Sequence, residues 1–371
     1  MKILAIEPYY DGSHKAFIDD FIDRSRHNWT LLTMPARKWK WRMRGSAIEF
    51  AKQANELTAM GQKFDAVFAT DMMSLTDFTA LLAPELVNTP KVLYFHENQI
   101  TYPCQVEDKR DYHYGLTNII SAHSANSVWF NSLYHKRDFL NGAAKILKKM
   151  PDFNCIDIIQ DIDQKSTVVT QCINETKSKL PLQQGPLKIV WSARWEHDKN
   201  PEDFFAAIAE LKKRGVDFRL SVTGQSFREA PAIFEKAKKL FAENIDNWGF
   251  LNDPADYKRI LEESDIFVST AIHEFFGISA VEAAAAGCCV MVPQRLAYPE
   301  VFDGLNQVFY DGSVNDLTKK LDLMASDRQK LVNLAEKCRR IGKKFQWSNK
   351  IDSMDDALEK IPKEKNCNVW S

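Results

Sequence analysis

No stretch of this chain approaches the roughly 20 uninterrupted apolar residues that a membrane-crossing helix needs. The opening Met1-Lys2-Ile3-Leu4-Ala5-Ile6-Glu7 is too short an apolar run for a secretory leader and reads as a buried first strand. The expectation is a cytoplasmic protein with no transmembrane segment. Charge of one sign is also missing. With 49 Lys and Arg against 50 Asp and Glu, the formal net charge is -1, so a polyanionic partner must be met by a local patch and not by a global field. The seven cysteines are scattered, and the paired spacings of a zinc site or a disulfide framework are absent. Cys288 and Cys289, the only close pair, read as reduced, buried thiols, and no metal is expected. Low-complexity tracts and short repeats are lacking as well.

What remains is a globular composition, 45% hydrophobic and 27% charged, spread over 371 residues. That is too long for one ordinary core and suits two domains. Short apolar runs at Lys2 to Glu7, Trp29 to Thr33, Phe64 to Ala69, Lys91 to Phe95 and Ser127 to Phe130 alternate with amphipathic stretches at Ser13 to Asp23, Ala47 to Met60, Thr76 to Leu86, Tyr112 to Ala122 and Leu133 to Lys149. This is the rhythm of βαβ units feeding a parallel sheet. A polar, turn-rich stretch follows and ends at Leu182-Gln183-Gln184-Gly185-Pro186. The rhythm then restarts, with strands at Leu187 to Ser192, Phe218 to Thr223, Ile266 to Ser269 and Cys289 to Val292. Helices are expected near Glu202 to Arg214, Ala230 to Ala242, Pro254 to Ser264, Gly277 to Ala286 and Asn349 to Ile361. The fold class expected is α/β, two Rossmann-like domains facing a cleft. The N-terminal domain would span 1–180, a C-terminal domain 187–345, and a helical segment 346–371 would have the N-terminal domain as a surface to return to.

The strongest chemical signal is Ala271-Ile272-His273-Glu274-Phe275-Phe276-Gly277-Ile278-Ser279-Ala280-Val281-Glu282. A strand runs here through a loop into a helix near Gly277, whose unpaired N–H groups and positive dipole end favour phosphate. Gly277 lets a diphosphate approach closely, and Glu274 and Glu282 can accept hydrogen bonds from hydroxyls on either side. Glu282 stands in a segment apolar on nearly all faces, where a carboxyl needs a partner. A second constellation, Trp191-Ser192-Ala193-Arg194-Trp195-Glu196-His197-Asp198-Lys199-Asn200-Pro201, sets Arg194 and Lys199 just past a strand's C-terminal end, the edge where open α/β sheets bind ligands. Fixed cations there can neutralise a departing diphosphate without a divalent metal. In the first half, Glu7-Pro8-Tyr9-Tyr10-Asp11-Gly12-Ser13-His14 and His96-Glu97-Asn98-Gln99 are polar at comparable strand ends.

The E-x7-E pattern with its Glu-Phe-Phe-Gly start resembles the retaining glycosyltransferases of the GT-B fold, family 4. That resemblance implies that Glu274 contacts the donor sugar, that the backbone of Phe276, Gly277 and Ile278 holds the diphosphate, and that Glu282 binds the ribose. It also makes Arg194 and Lys199 diphosphate ligands, although Ala193 stands where the family carries glycine. Gly12 would approach the diphosphate and acceptor, and His96 the donor sugar. His96, Glu274, Arg194 and Lys199 are thus the expected catalytic set. With no obvious carboxylate nucleophile, the reaction implied is a front-face displacement in which the leaving phosphate takes the acceptor proton. A hinge near Lys179 to Pro186 would let the cleft close.

Across both halves, the Glu7 to His14 block, Tyr94-Phe95-His96-Glu97-Asn98-Gln99 with Tyr102-Pro103, and the Ser192 to Pro201 block resemble the tRNA-queuosine mannosyltransferase group. The resemblance implies transfer of mannose from GDP-mannose, as a donor substrate and with no further cofactor, to queuosine in a tRNA anticodon. An independent hint is Arg37-Lys38-Trp39-Lys40-Trp41-Arg42-Met43-Arg44, five cations with two indoles. Cations bind phosphates while aromatic faces stack unpaired bases. The same composition suits an anionic lipid surface or a solvated loop with inward indoles. His14 could join this acceptor surface, and Arg110, Tyr112 and His113 could extend it. A GT-B transferase acting on a lipid or glycan, a GT-B epimerase and a noncatalytic RNA-binding module are the alternatives. The paired glutamates and the cation pair favour an enzyme.

Overall fold

The computed structural model describes residues 1–103, 111–181, 184–226 and 230–361. Its contacts divide the chain into two compact units, Met1–Gln171 with Lys350–Ser371, and Cys172–Asn349. The division falls inside the turn-rich stretch from Pro151 to Pro186 where the sequence rhythm breaks, and residues 182 and 183 of the expected hinge lie outside the described residues.

The first unit runs β1 (Lys2–Tyr10), α1 (Gly12–Arg24), β2 (Asn28–Pro35), α2 (Trp39–Ala59), β3 (Ala66–Thr70), α3 (Leu75–Ala80), α4 (Pro84–Val87), β4 (Lys91–Phe95), α5 (Tyr112–Ser124), β5 (Ser127–Phe130), α6 (Leu133–Leu147), α7 (Ile158–Gln164) and β6 (Ser166–Val168). Its strands form one parallel sheet in the order β2-β1-β3-β4-β5-β6. Central strands β3, β4 and β5 are buried along their whole length, as expected for a sheet with helices on both faces. Side chains of Asp11, Ser74, Asp111 and Ser132 cap α1, α3, α5 and α6 by accepting first-turn N–H groups.

The second unit runs β7 (Leu187–Ser192), α8 (Pro201–Lys213), β8 (Phe218–Thr223), α9 (Ile233–Leu240), β9 (Ile245–Gly249), α10 (Pro254–Glu263), β10 (Ile266–Val268), α11 (Ile278–Ala286), β11 (Cys289–Pro293), α12 (Tyr298–Val301), β12 (Phe309–Tyr310), α13 (Val314–Ser326) and α14 (Arg328–Lys343). Its strand order is β12-β11-β10-β7-β8-β9, again parallel throughout. Each sheet has a place where the order reverses, between β1 and β3 in the first and between β7 and β10 in the second. Ligands of open α/β sheets bind outside the carboxyl ends of the strands at such a switch point. Each unit taken by itself is the parallel, doubly wound α/β sheet that the sequence rhythm led us to expect.

Several elements depart from the sequence rhythm. Helix α2 starts at Trp39 and not at Ala47, so the basic segment is largely helical; its start has no side-chain cap, and Lys38 sits left-handed at φ 55. Pro84 divides the expected Thr76 to Leu86 helix into α3 and α4. Helices α7, α12, α13 and α14 and strands β6, β9 and β12 lie where the rhythm gave no assignment. The strands among them are two to five residues long, too short for a periodic signal.

A last helix, α15 (Ile351–Glu359), belongs to the first unit and buries Met354, Asp355 and Leu358. Ser25 donates its hydroxyl to Asp355 Oδ1 at 2.7 Å, and the Arg26 backbone N–H donates to Oδ2 at 2.9 Å. Asp355→Ala strands both donors and is expected to lower stability by about 2–4 kcal/mol. Asp356→Ala, which removes an exposed ion pair with Arg26, should change it little. Urea unfolding of the two variants checks the contrast.

Candidate functional site

In the second unit the two sequence constellations occupy the loops after β7 and β10, the two strands at the switch point. Lys199 ties them together. It is nearly buried, and its ammonium donates to the His273 carbonyl at 2.9 Å and to Glu274 Oε2 at 3.3 Å, with Asp198 Oδ2 at 3.0 Å. Two more bonds join the same loops: the Thr270 hydroxyl donates to Lys199 O at 2.8 Å and the Ile272 N–H to Asp198 O at 2.9 Å. Burial alone would lower the Lys199 pKa, but Glu274 and Asp198 outweigh it and hold the ammonium above the ordinary lysine range. His273 is pushed the other way, to about 4, by burial and by the Lys199 charge. Arg194 is more exposed, 3.4 Å from Glu196.

Gly277 has φ +89, and a Cβ there would stand 2.7 Å from Cε1 of Tyr298. The Tyr298 hydroxyl is anchored on Ser269 Oγ at 2.7 Å, so the ring cannot retreat without losing that contact. The chain therefore enters α11 at a residue with no side chain, and no side chain caps the first turn. Phe276 is buried against Phe345, which leaves its backbone to meet a ligand, with Ile278 following on the first turn. Inside the helix, Glu282 Oε2 accepts from the Tyr257 hydroxyl at 2.9 Å. Burial pushes the Glu282 carboxyl up to about 7, opposed by that hydrogen bond. Tyr298, Tyr257 and Arg295, which braces the loop by donating to Ala271 O at 3.1 Å, carry no sequence signal; each lies more than 20 residues from the group it supports.

In the first unit, Gly12 opens α1 with φ +51, and His14 and His96 meet at the carboxyl ends of β1 and β4. Their rings stack with centroids 4.0 Å apart. Glu7, which the sequence reading quoted without giving it a role, is fully buried beneath them, with Oε1 3.3 Å from His14 Nδ1 and Oε2 4.0 Å from His96 Nε2. Asp71 follows β3 and accepts the His96 backbone N–H at 2.9 Å. Glu7, His14 and His96 are the one group among the described residues with three ligand atoms within 4.8 Å of one another. A shared ion needs in-plane lone pairs that converge, whereas these rings lie face over face at 30° and His14 Nδ1 already faces the carboxylate. The geometry is that of an ion pair and a stacked neighbour.

The basic segment begins at the same sheet edge of this unit, where β2 ends and α2 starts. Arg37, Lys38, Lys40 and Arg44 are exposed, while Arg42 turns back to donate to the Pro35 carbonyl at 3.1 and 3.2 Å. Trp39 packs on Tyr114 of α5 with centroids 5.0 Å apart, and Arg44 lies 5.2 Å over the same ring. Trp41 is 66% exposed. Its indole lies along the helix on Gly45, where an added Cβ would stand 3.0 Å from two ring carbons. Tyr112 and His113 open α5 nearby in sequence, and Arg110 lies outside the described residues.

A cavity of about 210 Å³ opens elsewhere in the second unit, at the starts of β7, β8 and β9. Its charges pair with one another, Arg219 with Asp246 and Arg259 with Glu263, so it shows no unmet demand for a ligand. No described helix is long and apolar enough to cross a membrane.

Comparison with known proteins agrees with this geometry. Residues 2–173 match the family described as tRNA-queuosine alpha-mannosyltransferase N-terminal, and residues 173–345 match glycosyl transferases group 1. A Drosophila melanogaster tRNA-queuosine alpha-mannosyltransferase is 36% identical over 332 residues, 86% of this chain and 85% of the relative. A D-inositol 3-phosphate glycosyltransferase of Corynebacterium kroppenstedtii is 22% identical over 56% of this chain and 49% of its own length. Among solved structures, Anabaena HepE in complex with UDP superposes with a TM-score of 0.71 at 15% identity, over 97% of this chain and 100% of that one; at that identity it shows the fold.

A ligand whose hydroxyls donate to Glu282 should bind more tightly as pH rises from about 6 to 8 and the carboxyl loses its proton, because a carboxylate is a stronger acceptor than the carboxylic acid and has no hydrogen of its own facing the donor. Glu282→Gln should bind roughly tenfold more weakly and lose that slope. Calorimetric titrations across this range check both.

Proposed function

This chain belongs to the tRNA-queuosine alpha-mannosyltransferase family, and from that premise we propose that it transfers mannose from GDP-mannose to the cyclopentenediol of queuosine in a tRNA anticodon, with retention at the anomeric carbon. It is a glycosyltransferase using a sugar-nucleotide donor. The observation that carries the reading is the pair of loops at the β7/β10 switch point, where Arg194, Lys199, Glu274, Gly277 and Glu282 gather at one sheet edge.

Each group has a chemical task in this reading. The second unit binds the donor. Gly277 and the backbone of Phe276 and Ile278 receive the diphosphate at the α11 N-terminus, and Glu282 accepts from the ribose. Lys199 and Arg194 stabilise the charge that develops on the leaving phosphate, which takes the acceptor proton. Lys199 is held between Asp198 and Glu274, so it is preorganised, and no reorganisation opposes the reaction at the moment charge appears. Glu274 and His96 orient the sugar, and Gly12 gives the diphosphate room.

The first unit carries the acceptor side. Arg37, Lys38, Lys40 and Arg44 meet phosphates, Arg42 braces the start of α2 through Pro35, and the indole of Trp41 offers a flat face for an unpaired base; His14, buried against Glu7, is not part of this surface. A tRNA acceptor places the activity in the cytoplasm. The exposure of Trp41 and Ile48 on one helix also suits a lipid surface, so vesicles belong in the test.

Incubation with GDP-mannose and queuosine-containing tRNA, read by nucleoside mass spectrometry, should show one hexose on queuosine and none on tRNA lacking it; hexose on lipid alone would favour the lipid reading. A Trp41→Ala, Lys40→Glu double variant should weaken tRNA binding at least about tenfold and flatten its salt dependence, with GDP-mannose affinity unchanged.

A further inference from the structure

Glu7 takes no part in donor or acceptor recognition as proposed, yet it is a carboxylate with no exposure within β1. A buried carboxylate needs a counter-charge or a proton of its own. Its Oε1 accepts the Tyr9 backbone N–H at 2.8 Å and lies 3.3 Å from His14 Nδ1, so the counter-charge within reach is an imidazolium at His14.

His96 is constrained from its other side. The Gln171 amide nitrogen lies 3.2 Å from His96 Nδ1; as that nitrogen can only donate, Nδ1 accepts, and the ring hydrogen sits on Nε2. Nε2 is buried, has no hydrogen-bond partner among the described residues and faces Glu7 Oε2 across 4.0 Å. Phe17 and Tyr94 press on the His96 ring edge-on at 5.1 and 4.7 Å and keep the site dry. A second proton on His96 would put two imidazolium rings 4.0 Å apart in that dry setting and would oblige Gln171 to turn over. One proton therefore serves the two rings.

We propose that Glu7 and His14 are positioning residues for His96: Glu7 keeps the shared proton on His14, and the stacked imidazolium holds His96 as a neutral ring with its hydrogen on Nε2. The consequence is electrostatic. Glycosyl transfer builds positive charge on the sugar ring, and a second cation beside that ring would oppose it. With His14 balanced by Glu7, the group delivers an oriented His96 loop and no net charge. The assignment deepens the mannosyl-transfer reading and rests on it for the reaction that His96 serves.

The other titratable groups around the pair agree. Burial alone would lower His14, but the charge and hydrogen bond of Glu7, with smaller contributions from Asp71 and Glu97, carry it to about 9. Burial, followed by the His14 and His135 charges, holds His96 well below the ordinary histidine range. Burial raises Asp71 to about 8, so its carboxyl is mainly protonated at neutral pH and adds to the field on His14 as pH rises. Because the folded His14 pKa lies above its unfolded value, the ion pair is complete below the unfolded value and is lost as pH rises through about 9.

The test is a nitrogen-15 titration of the histidine rings in the intact protein, paired with rate profiles. His14 should stay doubly protonated to about pH 8 and titrate near 9, while His96 should keep Nδ1 unprotonated well below the ordinary histidine range. Titration of His14 near its ordinary value, or protonation of His96 before His14, overturns the proposal. His14→Phe keeps the stack without the charge. It should lower kcat at least tenfold with a KM for tRNA near that of the parent, and activity like the parent's would reduce His14 to packing and overturn the proposal. Glu7→Gln with His14→Phe removes both charges and spares the fold an unpaired carboxylate. In it, His96 should titrate nearer its ordinary value, and kcat should acquire an acid limb; an unchanged His96 titration counts against the proposal. If the ring titrations come out as stated but no hexose reaches tRNA, the mannosyl-transfer reading fails and the proton assignment survives, with donor hydrolysis as the rate to profile.

Discussion

One buried ammonium holds the donor-side loops in register. Lys199 reaches from the β7 loop to the His273 carbonyl and to Glu274 on the β10 loop, and its own backbone carbonyl receives the Thr270 hydroxyl. Parallel strands at a switch point send their connections to opposite faces of the sheet, so nothing in the strand ladder fixes one loop against the other. The side chain does it. Two carboxylates share this one cation, which leaves the free site locally short of positive charge and keeps Lys199 protonated in spite of burial. The cost of gathering these charges is met when the protein folds, before any ligand arrives.

The two units solve a common problem with opposite chemistry. Each must place polar groups at the carboxyl edge of a sheet whose strands are otherwise apolar. In the second unit a buried ammonium is shared by buried Asp198 and partly exposed Glu274; in the first the carboxylate Glu7 is buried and the cation is a histidine. Both arrangements pair charges across elements remote in sequence, which makes each loop's position depend on another's. The α2 surface is different in kind. Its cations are exposed and weakly held, and its aromatic faces are available because Gly45 lets an indole lie flat on the helix. Such a surface adapts to a partner, whereas the buried clusters set fixed geometry.

The paired glutamates, the Arg194 and Lys199 spacing and the βα rhythm were legible because each is local: a strand, its loop and the next helix lie within a dozen residues, and the chemistry of a helix N-terminus follows from that short span. The start of α2 was hidden for an equally local reason. No Ser, Thr or Asp cap announces it, and the mixed Lys-Trp-Lys-Trp-Arg run has no apolar period. Strand β12, with two residues, has no pattern to read.

By itself the sequence determined the α/β fold class, the two loops at the β7/β10 switch point where its motif residues gather and a basic, aromatic segment, since periodicity, turn chemistry and motif spacing are all short-range properties. Only the tertiary structure decided that Tyr298 makes Gly277 obligatory, that Tyr257 partners Glu282, and that Glu7, His14 and His96 form one buried unit. Those relations join residues from different strands and helices, and they exist because packing excludes water and forces each buried polar group to find whichever partner the fold brings within reach.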